Sequence, residues 1–266
     1  MKVSSTQIKL LRAALFLFEF AAFAIIFLVK AKPSFMYSLL TKEYEIGVDK
    51  TLTYHPILMT AAFSLFMNEG LIAFYMGDIT ATPRAQSRRK HGMFQLAALL
   101  TALAAYVCIY LVLEKDPTKN HFAIGRLRPS VWVHTYLGYL TLLLCIFQVA
   151  VGIRKYVLKV KTGVSVQKWH GYLGLVVYIL GQANVGIGIF NCTHVDNIDN
   201  ELGEGHNIAA YSLRVMMAIF VFLSVVTLLV TRHIAIKMKE NANDLGVPLM
   251  YSQLPDEPVA TVADKA

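Results

Sequence analysis

Residues 131–153 read VWVHTYLGYLTLLLCIFQVAVGI, 23 positions without one Asp, Glu, Lys or Arg, closed by Arg154 and Lys155. A helix needs about 20 apolar residues to cross roughly 30 Å of hydrocarbon, so this run predicts a membrane-spanning helix. Five further apolar stretches stand at about 8–29, 55–77, 91–113, 169–190 and 209–231. Of the 266 residues, 56% are hydrophobic and 16% charged, and the mean hydropathy is +0.52. Soluble domains are about 45–50% apolar and about 25% charged. The expected fold class is therefore an all-α membrane protein of six transmembrane helices in a lipid bilayer, one domain over residues 1–233, with no room for a soluble catalytic module. Residues 234–266 are polar, contain Pro248, Pro255 and Pro258, and lack a sustained helical period, so a disordered cytosolic tail is expected there.

The net charge of +8 is distributed by topology and gives no reason to expect a nucleic-acid partner. Loop 78–90 carries Arg84, Arg88, Arg89 and Lys90, and loop 154–168 carries Arg154, Lys155, Lys159, Lys161 and Lys168. Loop 191–208 has no Lys or Arg but holds Asp196, Asp199, Glu201 and Glu204. Cytoplasmic loops retain Lys and Arg, which places both termini in the cytosol. The first stretch follows Lys2, Lys9 and Arg12 but exceeds a typical signal-peptide core, so it reads as a retained signal anchor. Cys108 and Cys145 fall inside helices and Cys192 in an outer loop, so no disulfide framework is expected. Tyr251-Ser252-Gln253-Leu254 matches a short sorting pattern, and an endomembrane (vesicle, vacuole or lysosome) or the plasma membrane is the expected location.

Four of the eight histidines, His55, His91, His134 and His170, stand near the N-terminal ends of helices two to five, 36, 43 and 36 residues apart. Hydrocarbon penalises ionisable groups, so one such residue on each of four consecutive helices calls for a function. Consecutive helices run in opposite directions. His55 and His134 therefore share the outer depth, and His91 and His170 share the inner depth. Two same-depth pairs from alternate helices of a bundle match two stacked haems with two axial imidazoles each, and bundle cores are a usual place for such cofactors. A helical face continues from each of two of these histidines: Gly138, Thr141, Cys145 and Gln148 after His134, and Gly174, Val177, Gly181, Asn184 and Gly188 after His170. Glycine on a ligand-bearing face lets a flat macrocycle approach the backbone, and it equally permits close helix packing. Imidazole suits zinc, copper, iron and nickel. A two-histidine site is poor for structural zinc, which takes four ligands. With both axial positions of a haem filled, the chemistry is electron transfer.

At these residues the chain resembles the eukaryotic cytochrome b561 family. The resemblance covers about residues 50–232 and rests on His55-Pro56-Ile57-Leu58-Met59, Lys90-His91 with Gln95, Val133-His134-Thr135-Tyr136-Leu137-Gly138 and His170-Gly171-Tyr172-Leu173-Gly174. It implies a central four-helix bundle of helices 2–5 holding two b haems, in a homodimeric, ascorbate-dependent transmembrane oxidoreductase. Cytosolic ascorbate would reduce the haem of His91 and His170. The haem of His55 and His134 would then reduce monodehydroascorbate or a ferric chelate outside. By the same resemblance Arg88, Arg89 and Lys90, with Lys168, would receive ascorbate, and His121 would line the outer substrate site. The family's Tyr-Arg after helix two is not matched, because Tyr75 is followed by Met76. The Gln182-Ala183-Asn184-Val185-Gly186 stretch resembles b561 modules attached to DOMON domains, but no DOMON domain is read in this sequence, and the stand-alone group of the family is expected.

Within spans two to six, Glu69 and Arg214 are the remaining charged residues, with ion pairing the ordinary role for Glu69. Two other function classes fit the same letters. One is a six-helix transporter whose histidines relay protons or bind metal. The other is a haem subunit serving a protein redox partner. Haem absorbance separates the first from the electron carrier, and unaided reduction of a ferric chelate by the purified chain excludes the need for the second.

Overall fold

The computed structural model describes residues 10–14, 16–18, 20–21, 23–24, 50–79, 84–114, 129–162, 169–190 and 204–244. All of them but Trp169 are helical. We number the helices as follows. Helix α1 comprises the described residues within 10–24. Helix α2 is continuous from Lys50–Thr60 through a π-helical turn at Ala61–Met67 to Asn68–Ile79. Helix α3 is Arg84–Ile109, ending in a second π turn at Tyr110–Glu114; α4 is Pro129–Thr162, α5 is His170–Phe190 and α6 is Glu204–Asp244. Among the described residues, five stretches are long and apolar enough to cross a bilayer: Tyr54–Gly77, Ala85–Leu113, Pro129–Thr162, His170–Phe190 and Val215–Asn241. They match the expected spans two to six. The expected first span falls partly outside the described residues.

Three expected boundaries are corrected. Helix α3 begins at Arg84, so the Arg88, Arg89 and Lys90 expected in a loop lie on a helix. Helix α4 continues past residue 153 to Thr162 and carries Arg154, Lys155, Lys159 and Lys161 with it. Helix α6 continues past residue 233 to Asp244, into the stretch expected to be disordered. Arg, Lys, Gln and Glu are good helix formers, and a helix already nucleated in the membrane extends at little cost. The α6 extension also packs: Ala235 is buried, Ile234 and Met238 lie against the core, and Lys237 pairs with Glu240 at 2.8 Å. Residues 245–266 lie outside the described residues.

Helices α2, α3, α4 and α5 form a four-helix bundle in which the neighbouring pairs are α2–α3, α3–α4, α4–α5 and α5–α2, leaving α2/α4 and α3/α5 as the diagonals. Helix α6 packs against α2 and α5. From α1, Arg12 forms a 2.6 Å ion pair with Glu69 of α2, and Phe18 meets Phe220 of α6. Helix α2 is thus the most enclosed, 61% of its apolar window being buried against 17–33% for the other four spans. The exposed apolar side chains of α3 and α4, such as Leu96, Leu100, Leu143 and Ile153, form the face a bilayer solvates.

A π turn takes backbone groups out of the regular α-helical register, and hydrocarbon offers no water to satisfy them. Two glutamines from neighbouring helices do so. Gln182 of α5, fully buried, donates from Nε2 to the Phe63 carbonyl at 3.1 Å and accepts from Ser64 Oγ at 2.9 Å. Gln95 of α3 donates to the Met67 carbonyl at 3.0 Å, and it lies so close to α2 that a Cβ at Gly70 would stand 2.5 Å from its amide nitrogen. One turn further on, Asn68 donates to Ser224 of α6 at 3.0 Å, and Ser224 lies 3.3 Å from the Tyr178 hydroxyl. Both glutamines stood in stretches singled out for family resemblance. Their role in the fold is to fasten α3 and α5 to the centre of α2.

Ser64→Ala leaves one buried group, Gln182 Oε1, without its donor, at about 1–3 kcal/mol. Gln182→Leu leaves two buried groups on α2 unpartnered, at about 1–3 kcal/mol each. Thermal unfolding in detergent is therefore expected to show a clearly larger loss for Gln182→Leu. Equal losses would remove the π-turn account.

Candidate functional site

The four histidines stand as two pairs across the bundle diagonals. The ring centroids of His55 and His134 are 6.3 Å apart with an interplanar angle of 87°, and those of His91 and His170 are 6.3 Å apart at 88°. Direct edge contact between rings in this protein is shorter, as Phe74 and His91 show at 4.8 Å. Metal–imidazole nitrogen bonds are about 2.0–2.1 Å, so two imidazoles on opposite sides of one ion, each with a ring radius of about 1.1 Å, have centroids roughly 6.3 Å apart. Both pairs hold that separation. Along α2, His55 lies fifteen residues before Gly70, whose carbonyl meets His91, so the pairs are stacked roughly 20 Å apart.

The protonation of three rings follows from their partners. His55 Nδ1 lies 3.0 Å from the Ala105 carbonyl, His91 Nδ1 2.9 Å from the Gly70 carbonyl and His134 Nδ1 3.1 Å from the Asn184 carbonyl. A carbonyl oxygen only accepts, so Nδ1 carries the hydrogen and Nε2 carries the lone pair that a metal takes. His170 differs: its Nδ1 is buried without a hydrogen-bond partner among the described residues, while Gln148 donates to its backbone carbonyl at 3.3 Å.

The arrangement is duplicated. A constant offset of 79 residues carries His55, His91 and Ala105 onto His134, His170 and Asn184. No repeat is visible in the letters, because the duplication lies in backbone geometry and in four side chains. Glycines complete it on α4 and α5. A Cβ at Gly188 would stand 2.8 Å from Cε1 of His134, and one at Gly152 would stand 3.4 Å from Cε1 of His170. Each lies eighteen residues, or five turns, after the histidine of its own helix. Gly188 was picked out from the sequence; Gly152 was missed, although the same spacing from His134 would have found it. Gly174, one turn past His170, has nothing within 4 Å of an added Cβ, as a surface approached by a flat group requires. Gly181 faces the Phe63 ring and Gly138 faces Asn184, so these two serve helix packing.

Among the described residues no three His, Cys, Asp or Glu side chains come together to hold a metal ion. Each pair therefore suits a cofactor that brings its own equatorial ligands, and the donor set fits haem. Thr141, Cys145 and Gln148 are buried on the His134 face as expected.

The cationic residues gather at the His91/His170 end. Arg89 and Lys90 are exposed and Arg88 is half-buried, within one turn of His91. Lys155 of α4 acts electrostatically on both His91 and His170. Sequence reasoning missed Arg232, one residue beyond the expected end of span six. Its guanidinium acts electrostatically on Tyr75 of α2 and lies 5.8 Å from the ring centroid of Tyr172 on α5. A span drawn to Asn241 would have included it. Glu69 takes the ordinary role expected of it, through Arg12. The side chain of Arg214 lies outside the described residues, as do His121, Lys168 and His194.

The family model of eukaryotic cytochrome b561 matches residues 54–195, and these contain all four paired histidines. The chain belongs to the eukaryotic cytochrome b561 family. Membership implies binding of haem b. Over 142 residues the chain is 30% identical to transmembrane reductase CYB561D2 of Bos taurus, an alignment covering 52% of this chain and 60% of that one. The Mus musculus protein of that name is 29% identical over 144 residues (52% and 61%), and the Homo sapiens protein 29% identical over 142 residues (52% and 60%). The chain thus spans about three fifths of the length of these curated relatives.

In this cytochrome b561, Gly188→Ala is expected to displace the His134 ring and lower haem absorbance per chain, whereas Gly152→Ala, at ordinary contact distance from His170, leaves it near the wild-type value. Equal absorbance in both variants would separate Gly188 from the site.

Proposed function

We propose that the protein moves electrons across the membrane from cytosolic ascorbate to monodehydroascorbate or a ferric chelate on the opposite face, using two b haems ligated by His91/His170 and by His55/His134. The observation that carries this reading is the repetition of one bis-imidazole geometry at two depths of the same bundle. One such site would serve a single redox centre. Two, stacked along the membrane normal, span most of the hydrocarbon thickness. Haem b supplies a reversible one-electron centre at each level.

The chain's own residues supply the rest. Three backbone carbonyls hold the imidazole tautomers, and the buried faces of α2 and α5 exclude water between the levels. The positive charge of Arg88, Arg89, Lys90 and Lys155 would attract a monoanionic donor to the His91/His170 end and raise its local concentration. The positive-inside rule assigns that end to the cytosol. Ascorbate contact by Lys168 and outer-substrate contact by His121 belong to this proposal. The relatives' name, transmembrane reductase, agrees with it. The transporter reading has less support, because the histidines occupy two depth levels and not a site at the midplane.

The purified, haem-loaded protein is expected to carry two haems per chain and to be reduced by ascorbate. His91→Ala or His170→Ala should remove one haem, and His55→Ala or His134→Ala the other, each to about half of the wild-type absorbance. Loss of both haems from any single change, or none from all four, would overturn the assignment.

A further inference from the structure

Three of the four paired imidazoles place Nδ1 on a helix carbonyl, and His170 does not. The 79-residue offset between the two halves carries Gly70, whose carbonyl holds His91, onto Val149 of α4. By that relation the Val149 carbonyl should hold His170, but the His170 Nδ1 is buried with no hydrogen-bond partner among the described residues. The neighbouring position also departs from the duplication. The offset carries Glu69 onto Gln148, and the two side chains are employed differently. Glu69 turns to Arg12 of α1 at 2.6 Å. Gln148, only 7% exposed, turns to α5, where its Nε2 donates to the His170 carbonyl at 3.3 Å. The other end of the same amide is spare, because its Oε1 is buried and has no hydrogen-bond partner among the described residues. A neutral imidazole that gives its Nε2 lone pair to a metal keeps its hydrogen on Nδ1. His170 then holds a buried donor without an acceptor, and the residue that touches its backbone holds a buried acceptor without a donor. Each such group left alone costs about 1–3 kcal/mol, so both gain by meeting.

We propose that Gln148 is the positioning residue of the His170 ligand: in the haem-bound protein its Oε1 accepts the hydrogen of His170 Nδ1, taking the part that a backbone carbonyl plays at the other three histidines. The inference rests on the paired-histidine haem reading given under Proposed function. The amide is already tied to α5 through its Nε2, so engaging Oε1 as well costs little further side-chain freedom. An acceptor on Nδ1 makes the imidazole a stronger donor to iron, which favours the ferric state and lowers the reduction potential. Three ligands receive that effect from helix carbonyls, whose positions the backbone fixes. His170 receives it from a side chain. Gln148 therefore sets the potential of the His91/His170 level separately from that of the His55/His134 level.

The test uses purified, haem-loaded protein with Gln148→Leu and Gln148→Glu. Both changes remove the donor to the His170 carbonyl, and only Gln148→Glu keeps an acceptor. The midpoint potential of each haem is read by spectroelectrochemical titration. The exchangeable Nδ1 hydrogens of the four ligands are read by NMR on ferric protein carrying isotope-labelled histidine. Gln148→Leu is expected to raise the potential of the His91/His170 haem and Gln148→Glu to lower it, with the other haem unchanged in both. The His170 Nδ1 hydrogen should exchange with solvent about tenfold faster in Gln148→Leu, the scale of one lost hydrogen bond, while the other three hold their rates. A role confined to the backbone contact shifts the potential in the same direction in both variants and leaves the Nδ1 hydrogen unmoved. That result overturns the proposal, as do unchanged potentials in both. Should Gln148→Leu lose haem, Gln148→Glu decides: a displaced, slowly exchanging His170 Nδ1 hydrogen upholds the proposal, and a wild-type resonance overturns it. A wild-type protein without haem at the His91/His170 level overturns the haem reading and this inference with it. A wild type with both haems and variants identical to it overturn this inference alone.

Discussion

Hydrocarbon accepts no hydrogen bonds, so every polar group placed in it has to find its partner within the protein. Much of this structure follows from how α2 meets that constraint. Its π turn leaves carbonyls that Gln95 and Gln182 take up from two neighbouring helices. Three imidazole N–H groups are satisfied in the same way, on carbonyls of an adjacent helix: His55 on α3, His91 on α2 and His134 on α5. A helical carbonyl already accepts one backbone bond and has a second lone pair to offer, so these contacts cost the helices nothing. They do fix each ring's orientation. With Nδ1 tied to the neighbouring helix, Nε2 points across the bundle to the diagonal one. The need to satisfy a polar hydrogen in an apolar medium thereby sets up the pairing of lone pairs at the centre.

Much of this could be read from the letters, and the limits have physical causes. Apolar run length located spans two to six, because bilayer thickness sets a minimum that composition reveals directly. The alternation of helix direction paired His55 with His134 and His91 with His170, and the structure brings those rings together. Helix ends were misplaced because hydropathy reports where hydrocarbon ends, whereas Arg84–Lys90 and Arg154–Thr162 continue their helices on propensity, and the turns after His233 do so with the packing of Ile234, Ala235 and Met238 as well. The π turn at Ala61–Met67 has no signature in AAFSLFM. Only the glutamines of other helices reveal what it needs, and they lie 28 and 119 residues away. Arg232 escaped notice for a related reason, since a charge at the end of an apolar run reads as a stop signal until Tyr75 and Tyr172 are seen beside it.

The 79-residue duplication and the distribution of charge bear on each other. Each repeated half is a pair of helices, α2–α3 and α4–α5, and both halves make their short connection on the same face. Those connections and the helix ends beside them carry Arg88, Arg89 and Lys90 in one half and Lys155, Lys159 and Lys161 in the other. A duplicated scaffold alone would make the two histidine levels nearly equivalent. The cations distinguish them, because positive charge near a membrane helix is retained on one side only. Topology determination and anion attraction are thus two consequences of one charge distribution. Under the proposed function, the residues that orient the chain in the bilayer would also make one level the natural approach for a negatively charged donor.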